Sequence, residues 1–183
     1  ADLLRLMAGR LRPTRGSVEI PRRVGFVPED RGRDALIDEL TLRENFLLRG
    51  IGRRRGMIDW TMVDQQTRAA IKAFDIRGGS ERLPAGALSG GNQQRFVLAR
   101  ELADDPQAVV AENPTRGLDV RATLMIRDFL RAACRRGAAV VWYSSDVEEL
   151  LAVADRIVVC HAGAVSRVAN NLAAIGAAMV AAA

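Results

Sequence analysis

The run Ala108-Val109-Val110-Ala111-Glu112-Asn113-Pro114-Thr115-Arg116-Gly117-Leu118-Asp119 passes from four apolar residues to a polar pair and then to a Pro/Gly turn. An apolar run this short, without polar alternation, reads as a strand buried on both faces, as in a parallel sheet. A carboxylate at the end of such a strand can hold a magnesium ion through water, and its neighbour can orient an attacking water. The same residues also suit an ordinary strand-to-turn junction.

Working outward, Val24–Val27, Ala138–Tyr143 and Arg156–Cys160 read as further strands, and a hairpin through Ala162-Gly163 leads to Ala164–Arg167. Ile157-Val158-Val159-Cys160 lacks alternation, so that strand too is expected to be buried on both faces. Val120–Arg136 carries Met125, Phe129 and Ala133 at helical spacing, and Gly137 supplies a stop. Strands alternating with amphipathic stretches define an α/β fold with a mainly parallel sheet. Residues from about Thr41 to Phe74 interrupt that alternation with helix-like segments and the loop Gly52-Arg53-Arg54-Arg55-Gly56, as an inserted helical subdomain would. The chain opens directly on helical spacing, with Leu3, Met7 and Leu11 on one face and no preceding strand, which reads as a truncated opening. The alanine-rich stretch after Asn171 reads as a weak helix or a frayed end.

The whole sequence has 183 residues, 49% hydrophobic, 27% charged and 4% aromatic. That suits a soluble fold with one core and argues against a base-stacking surface. The net charge of +5 is carried almost wholly by arginines interspersed with acids, Lys72 being the single lysine. No nucleic-acid partner is expected from it. Cys134 and Cys160 are far apart and accompanied by one histidine, so neither a disulfide framework nor a zinc site is supported. The longest nearly apolar run, Leu172 to Ala183, has 12 residues, which is short of a membrane span.

The second informative stretch is Leu88-Ser89-Gly90-Gly91-Asn92-Gln93-Gln94-Arg95, in which a helix follows the two glycines at once, with Leu98 and Leu102 four apart. Two glycines allow close backbone approach, and a helix N-terminus offers free N–H groups and a positive dipole end to a phosphate. Ser89 adds a hydroxyl donor. A glycine-softened helix cap with no ligand has the same spelling.

Together, in this order and 24 residues apart from Ser89 to Asn113, the two stretches resemble the ATP-binding-cassette (ABC) ATPases. The finer resemblance is to the second half of the tandem ATPases of simple-sugar and nucleoside importers. It implies a P-loop-NTPase-like core with a helical subdomain at about 38–104 and α/β core on either side, all within one partial nucleotide-binding domain spanning 1–183. By this resemblance Leu88, Ser89, Gly90, Gly91, Asn92 and Gln93 form the family signature, which closes on the γ-phosphate of ATP bound to a partner cassette. Glu112 takes the Walker B aspartate position, with a weak hold on Mg2+ through water, and Asn113 takes the catalytic glutamate position. Asp119 falls in the D-loop. Glu29, in Val27-Pro28-Glu29-Asp30-Arg31, stands where the Q-loop glutamine is usual, and Ser145 stands where the switch histidine is usual. Glu29–Asp34 and Leu36–Phe46 would form the face that receives a permease. The implied cofactors are ATP and Mg2+. The implied partners are another nucleotide-binding domain, expected to be the N-terminal half of the same polypeptide, and transmembrane permease subunits. The implied location is the cytoplasmic face of the inner membrane, without direct insertion.

The departures carry chemistry too. No Gly-x-x-x-x-Gly-Lys-Ser/Thr run occurs in the 183 residues, so the P-loop is expected upstream and the chain alone is expected to be inactive as an ATPase. Asn113 cannot take up a proton near neutral pH, and Ser145 lacks the charge and ring of a histidine. A site built on Glu112, Asn113 and Ser145 should therefore be degenerate even in the intact protein. Two alternatives stay open: a catalytically inactive regulatory or scaffold half, and a non-transport ABC ATPase linked to nucleic acid.

Overall fold

The computed structural model describes residues 2–49 and 56–180. The basic loop expected at 52–56 lies, but for Gly56, outside the described residues. The chain divides into two compact units, Ala1–Val141 and Trp142–Ala183.

The first unit is built on a sheet in the order β1 (Val24–Val27), β2 (Ala108–Glu112), β3 (Ala139–Tyr143), the last strand running out of the unit. β1 and β2 pair in parallel, with Phe26 opposite Val110. Val109, Val110 and Ala111 are fully buried, as expected of a strand covered on both faces.

Helix α1 (Asp2–Met7) packs against this sheet through Leu4, which meets Phe26 and Val110, with Ala8 one turn on. The expected face of Leu3, Met7 and Leu11 is instead the exposed one. Both faces have the same four-residue spacing, and the position of the strands selects Leu4 and Ala8.

Between β1 and β2 lie α2 (Arg31–Asp34), α3 (Leu42–Leu47), α4 (Trp60–Ala73), a 3-10 turn at Ala85–Ala87 and α5 (Gly90–Leu102). Thr41 and Glu44 form a reciprocal capping box at the start of α3, satisfying two amides that the helix leaves without partners. Asn45, wholly buried, stitches the preceding loop: its amide donates to the carbonyls of Ile37, Leu40 and Thr41 and accepts from Ile37 N–H. α4, capped by Asp59, buries Val63, Thr67 and Ala70 along one stripe.

Helix α5 is the centre of the unit. All nine residues from Gln94 to Leu102 are buried, so this is a core helix covered on every side. Its charged residues are therefore paired. Arg100 donates to Glu101 at 2.9 Å and to the carbonyls of Ala35 and Asn45, while Glu101 accepts from the Phe26 N–H of β1. Gly25 lies so close to α5 that a Cβ there would meet the Glu101 carbonyl oxygen at 2.9 Å.

Helix α6 (Val120–Arg135) buries Ala122, Ile126, Leu130 and Ala133. Met125 and Phe129 flank that stripe half-buried, and the Phe129 ring packs on Phe74 with centroids 4.1 Å apart.

In the second unit, α7 (Val147–Val153) is capped by Asp146, and β4 (Ile157–His161) pairs antiparallel with β5 (Ala164–Val168). The turn between the strands places Ala162 at φ 47° and Gly163 at φ 80°, the primed geometry that matches strand twist in a two-residue hairpin. β4 is not covered on both faces: Ile157 is buried but Val158 is 57% exposed. A two-stranded ribbon has one face open to solvent, so the apolar run does not mark a central strand here. α8 (Leu172–Val180) lies against the hairpin and buries Ile175. Among the described residues no helix is long and apolar enough to cross a membrane.

Candidate functional site

Three segments of the first unit, with Arg5 of α1, converge on a cleft of about 650 Å³. They are the loop after β1 with α2, the end of β2 with its Pro-Thr-Arg-Gly turn, and the first turn of α5. Strand ends of a parallel sheet meet helix N-termini at such a place, which is why ligands bind there in open α/β sheets.

Glu112 forms part of the lining. β2 buries it to 6% exposure, and its Oε1 has no hydrogen-bond partner. Burial pushes its carboxyl above the ordinary carboxylate value, with Arg5 acting in the opposite direction. An unsatisfied buried carboxylate oxygen facing a cleft has the donor chemistry of a cation contact. Among the described residues no group of three or more acidic, histidine or cysteine side chains could hold a metal. A lone carboxylate of this kind would suit only an ion that keeps several waters and takes most of its other contacts from substrate phosphates, as Mg2+ does.

Glu29 and Arg116 pair across the same cleft, joining the loop after β1 to the turn after β2. Arg5 donates to Asp34 at 2.7 Å and Arg33 to Asp34 at 2.9 Å. The hydrogen bond from Arg33, helped by the charge of Arg5 and opposed by burial, holds the Asp34 carboxyl below its usual range. Asp30 caps α2 by accepting from Arg33 N–H.

Asn113 follows Glu112 with φ 42°, in the left-handed region that Asn enters more readily than most residues. Its carbonyl accepts from Arg116 N–H at 3.0 Å, closing the turn. Gln94 of α5 donates to the Pro114 carbonyl at 2.9 Å, fastening α5 to this turn.

The first turn of α5 holds the Ser-Gly-Gly run. Ser89 is the exposed N-cap residue with extended backbone, and its hydroxyl does not fold back onto the helix amides. Instead it accepts from Asn92 Nδ2 at 3.1 Å, and Asn92 is in turn tied to the backbone of Arg77. The leading N–H groups of α5 consequently have no side-chain cap, which is what an anion site at a helix start requires. Leu88 is buried and anchors the approach to this turn. Gln93 accepts from Arg31 Nε at 3.2 Å and donates to the Ala85 carbonyl at 3.1 Å.

The structure thus brings Glu29, Gln93 and Glu112 to one cleft, with Asn113 following the last of them in sequence. Asp119 caps α6, accepting from Ala122 N–H at 2.7 Å. Ser145 belongs to the second unit, directly before the Asp146 cap of α7. Beside it, Ser144 donates to Glu149 Oε2 at 2.8 Å. Sequence reasoning missed the cleft roles of Arg5, Arg31, Asp34 and Arg116. For Arg31, Asp34 and Arg116 the available signal was their place after short apolar runs, at strand ends; Arg5, inside α1, carried no such signal.

This architecture, a parallel β1–β2 pair with a set of helices between the two strands, is that of the ABC ATPase cassette. Comparison with solved structures agrees. The MJ0796 bacterial ABC transporter cassette superposes with a TM-score of 0.75 at 24% identity, over 91% of this chain and 79% of that one. A second structure of MJ0796, in a post-hydrolysis dimeric state bound to ADP and Pi, gives 0.72 at 26% identity, over 86% of this chain and 74% of that one. The ABC transporter family model matches residues 1–116. The chain belongs to the ABC transporter family.

Among its relatives, the nucleoside import ATP-binding protein NupA of Lactococcus lactis is 35% identical over 92% of this chain and 37% of its own length. The ribose import ATP-binding protein RbsA 1 of Rhizobium johnstonii is 33% identical over 91% of this chain and 36% of its own. The xylose import ATP-binding protein XylG of Burkholderia ambifaria is 38% identical over 76% and 27%. The chain spans about a third of the length of the first two.

Proposed function

We propose that this chain acts as a cassette of an ABC importer for a simple sugar or a nucleoside, supplying its Ser89–Gln93 turn to ATP held by the P-loop of a partner cassette. The observation that carries the reading is the start of α5: two glycines, a Ser89 hydroxyl turned away from the cap, and a rigid buried helix behind them. Amides fixed in this way stabilise negative charge with no reorganisation as it develops on a transferring phosphoryl group. The import function is supported by the nucleoside, ribose and xylose importers among the relatives.

The chain's own strand-end site is read as degenerate. Glu112 would hold Mg2+ through water, and the ion would neutralise phosphate charge. Asn113 would orient a water through its side-chain oxygen without accepting its proton. Glu29 would contact the cleft from the Q-loop position, Asp119 would lie at the boundary with the partner cassette, and Ser145 would stand at the switch position. Glu29–Asp34 and Leu36–Phe46, beside and within a helical subdomain at about 38–104, would receive permease subunits at the cytoplasmic face of the membrane. The partner cassette is proposed to be the N-terminal half of the same polypeptide.

The test compares two substitutions in the intact transporter. Ser89→Arg should abolish ATPase activity by filling the helix start, and Asn113→Gln should leave it nearly unchanged. Equal losses from the two would remove the asymmetry on which the reading depends. A scaffold role draws on the same Asn113. Full ATPase activity and transport by the Ser89→Arg protein would favour it.

A further inference from the structure

The loop that carries Glu29 and the helix start that carries Ser89 are joined by one side chain. Arg31, the first residue of α2, donates from Nε to Gln93 Oε1 at 3.2 Å, and Gln93 is itself pinned to the Ala85 carbonyl. A Cβ placed on Gly90 would lie 2.6 Å from Arg31 Nη2. The guanidinium therefore occupies the space that any side chain at Gly90 would take. Asp30 and Asp34 hold the other end of this contact, the first as the α2 cap and the second through Arg5 of α1.

We infer that Arg31 is a positioning residue for the Ser89–Gln93 turn, gripping the start of α5 so that the Glu29 loop and the turn move as one body. The inference rests on the proposed function of that turn. A side chain at position 90 would have to displace this guanidinium from where it sits. The planar group spans Gln93 and Gly90 at once: Nε serves the amide while Nη2 lies over the glycine. A lysine carries its charge at a single point and has no donor at the Nε position.

The experiment uses the full-length protein in its transporter, with Arg31→Ala, Arg31→Lys and, as a control on the turn itself, Ser89→Arg. Without nucleotide, hydrogen exchange of the Gln93 and Gln94 amides, the first of α5 with helix carbonyl acceptors, should be faster in Arg31→Ala, while α6 amides are unchanged. ATPase kcat/KM should fall about tenfold in Arg31→Ala, the effect of losing one charge-assisted hydrogen bond of ordinary strength. Arg31→Lys should restore little of it, and the thermal midpoint should fall by no more than the loss of one hydrogen bond accounts for. Unchanged exchange at Gln93 and Gln94, or full rescue by lysine, overturns the grip. Faster exchange spread over the whole unit, with a midpoint lowered well beyond the cost of one hydrogen bond, also overturns it, because Arg31 would then be a general structural residue. If Ser89→Arg leaves ATPase activity intact, the proposed function falls. If Ser89→Arg abolishes activity while Arg31→Ala is silent, only the present inference falls.

Discussion

Arg116, in the turn after β2, forms an ion pair with Glu29, 87 residues earlier, across the mouth of the cleft that holds Glu112. Glu29 stands where the ABC resemblance leads one to expect an uncharged glutamine. The pair supplies a local reason for the acid: a carboxylate at that lip meets a guanidinium from the opposite lip.

Glu29→Gln should therefore change stability little. The two side chains are 37% and 72% exposed, and pairs of this kind are worth between nothing and about 1 kcal/mol. Urea melts of the two proteins should nearly overlay at moderate salt. A separation well beyond that range would show that the pair is shielded from solvent and screened far less than its exposure implies.

Asn113 has φ 42°, and this predicts an order of tolerance. Asn113→Val should destabilise by about 1–2 kcal/mol, because a β-branched residue is a poor occupant of the left-handed region. Asn113→Gly should relieve the backbone and cost less. Denaturation midpoints of the two variants, compared with the parent protein, decide it.

Burial raises the carboxyl of Glu112 from its ordinary value of 4.5, which sets the sign of a pH effect. An acid with a raised folded-state pKa binds more protons when folded than when unfolded. Its contribution to stability thus falls as pH rises from the ordinary value through the raised one. Glu112→Gln removes that penalty. The variant should be the more stable protein at neutral pH without added metal, and the advantage should vanish below pH 4.5. Paired urea titrations across this range provide the measurement. Saturating Mg2+ with nucleotide in the intact protein should reverse the preference, since the carboxylate then has a partner.

Gly25 and Glu101 test the seam between β1 and α5. A methyl at Gly25 would press on the Glu101 carbonyl, and backbone cannot swing aside as a side chain can, so Gly25→Ala should cost about 1–3 kcal/mol. Glu101→Ala strips the acid from buried Arg100 and should cost about 3–5 kcal/mol. Glu101→Gln, which keeps an acceptor for Phe26 N–H, should cost less than the alanine variant. Thermal or chemical unfolding ranks all three.

Local pattern was enough to read the elements nearest the site. Β-branched and small apolar residues bounded by Pro and Gly placed β1 at its observed limits and β2 likewise, and the period of α6 with Gly137 placed that helix to within a residue. The glycine pair marked the start of α5, which begins at Gly90. Tertiary structure decided what periodicity leaves open. Leu3/Met7 and Leu4/Ala8 have the same spacing, and only the placement of Phe26 and Val110 buries the second pair. An apolar run such as Ile157–Cys160 suits a central strand or a ribbon, and the antiparallel pairing with β5 made it a ribbon. The cleft partners Glu29 and Arg116, or Arg31 and Gln93, are separated by tens of residues, and ion pairs and amide contacts leave no periodic trace in a single chain. Sequence by itself thus determined β1, β2, α6 and the start of α5, since these depend on neighbours along the chain. Which face is buried and which charges meet depends on neighbours in space, and only the folded chain decided those.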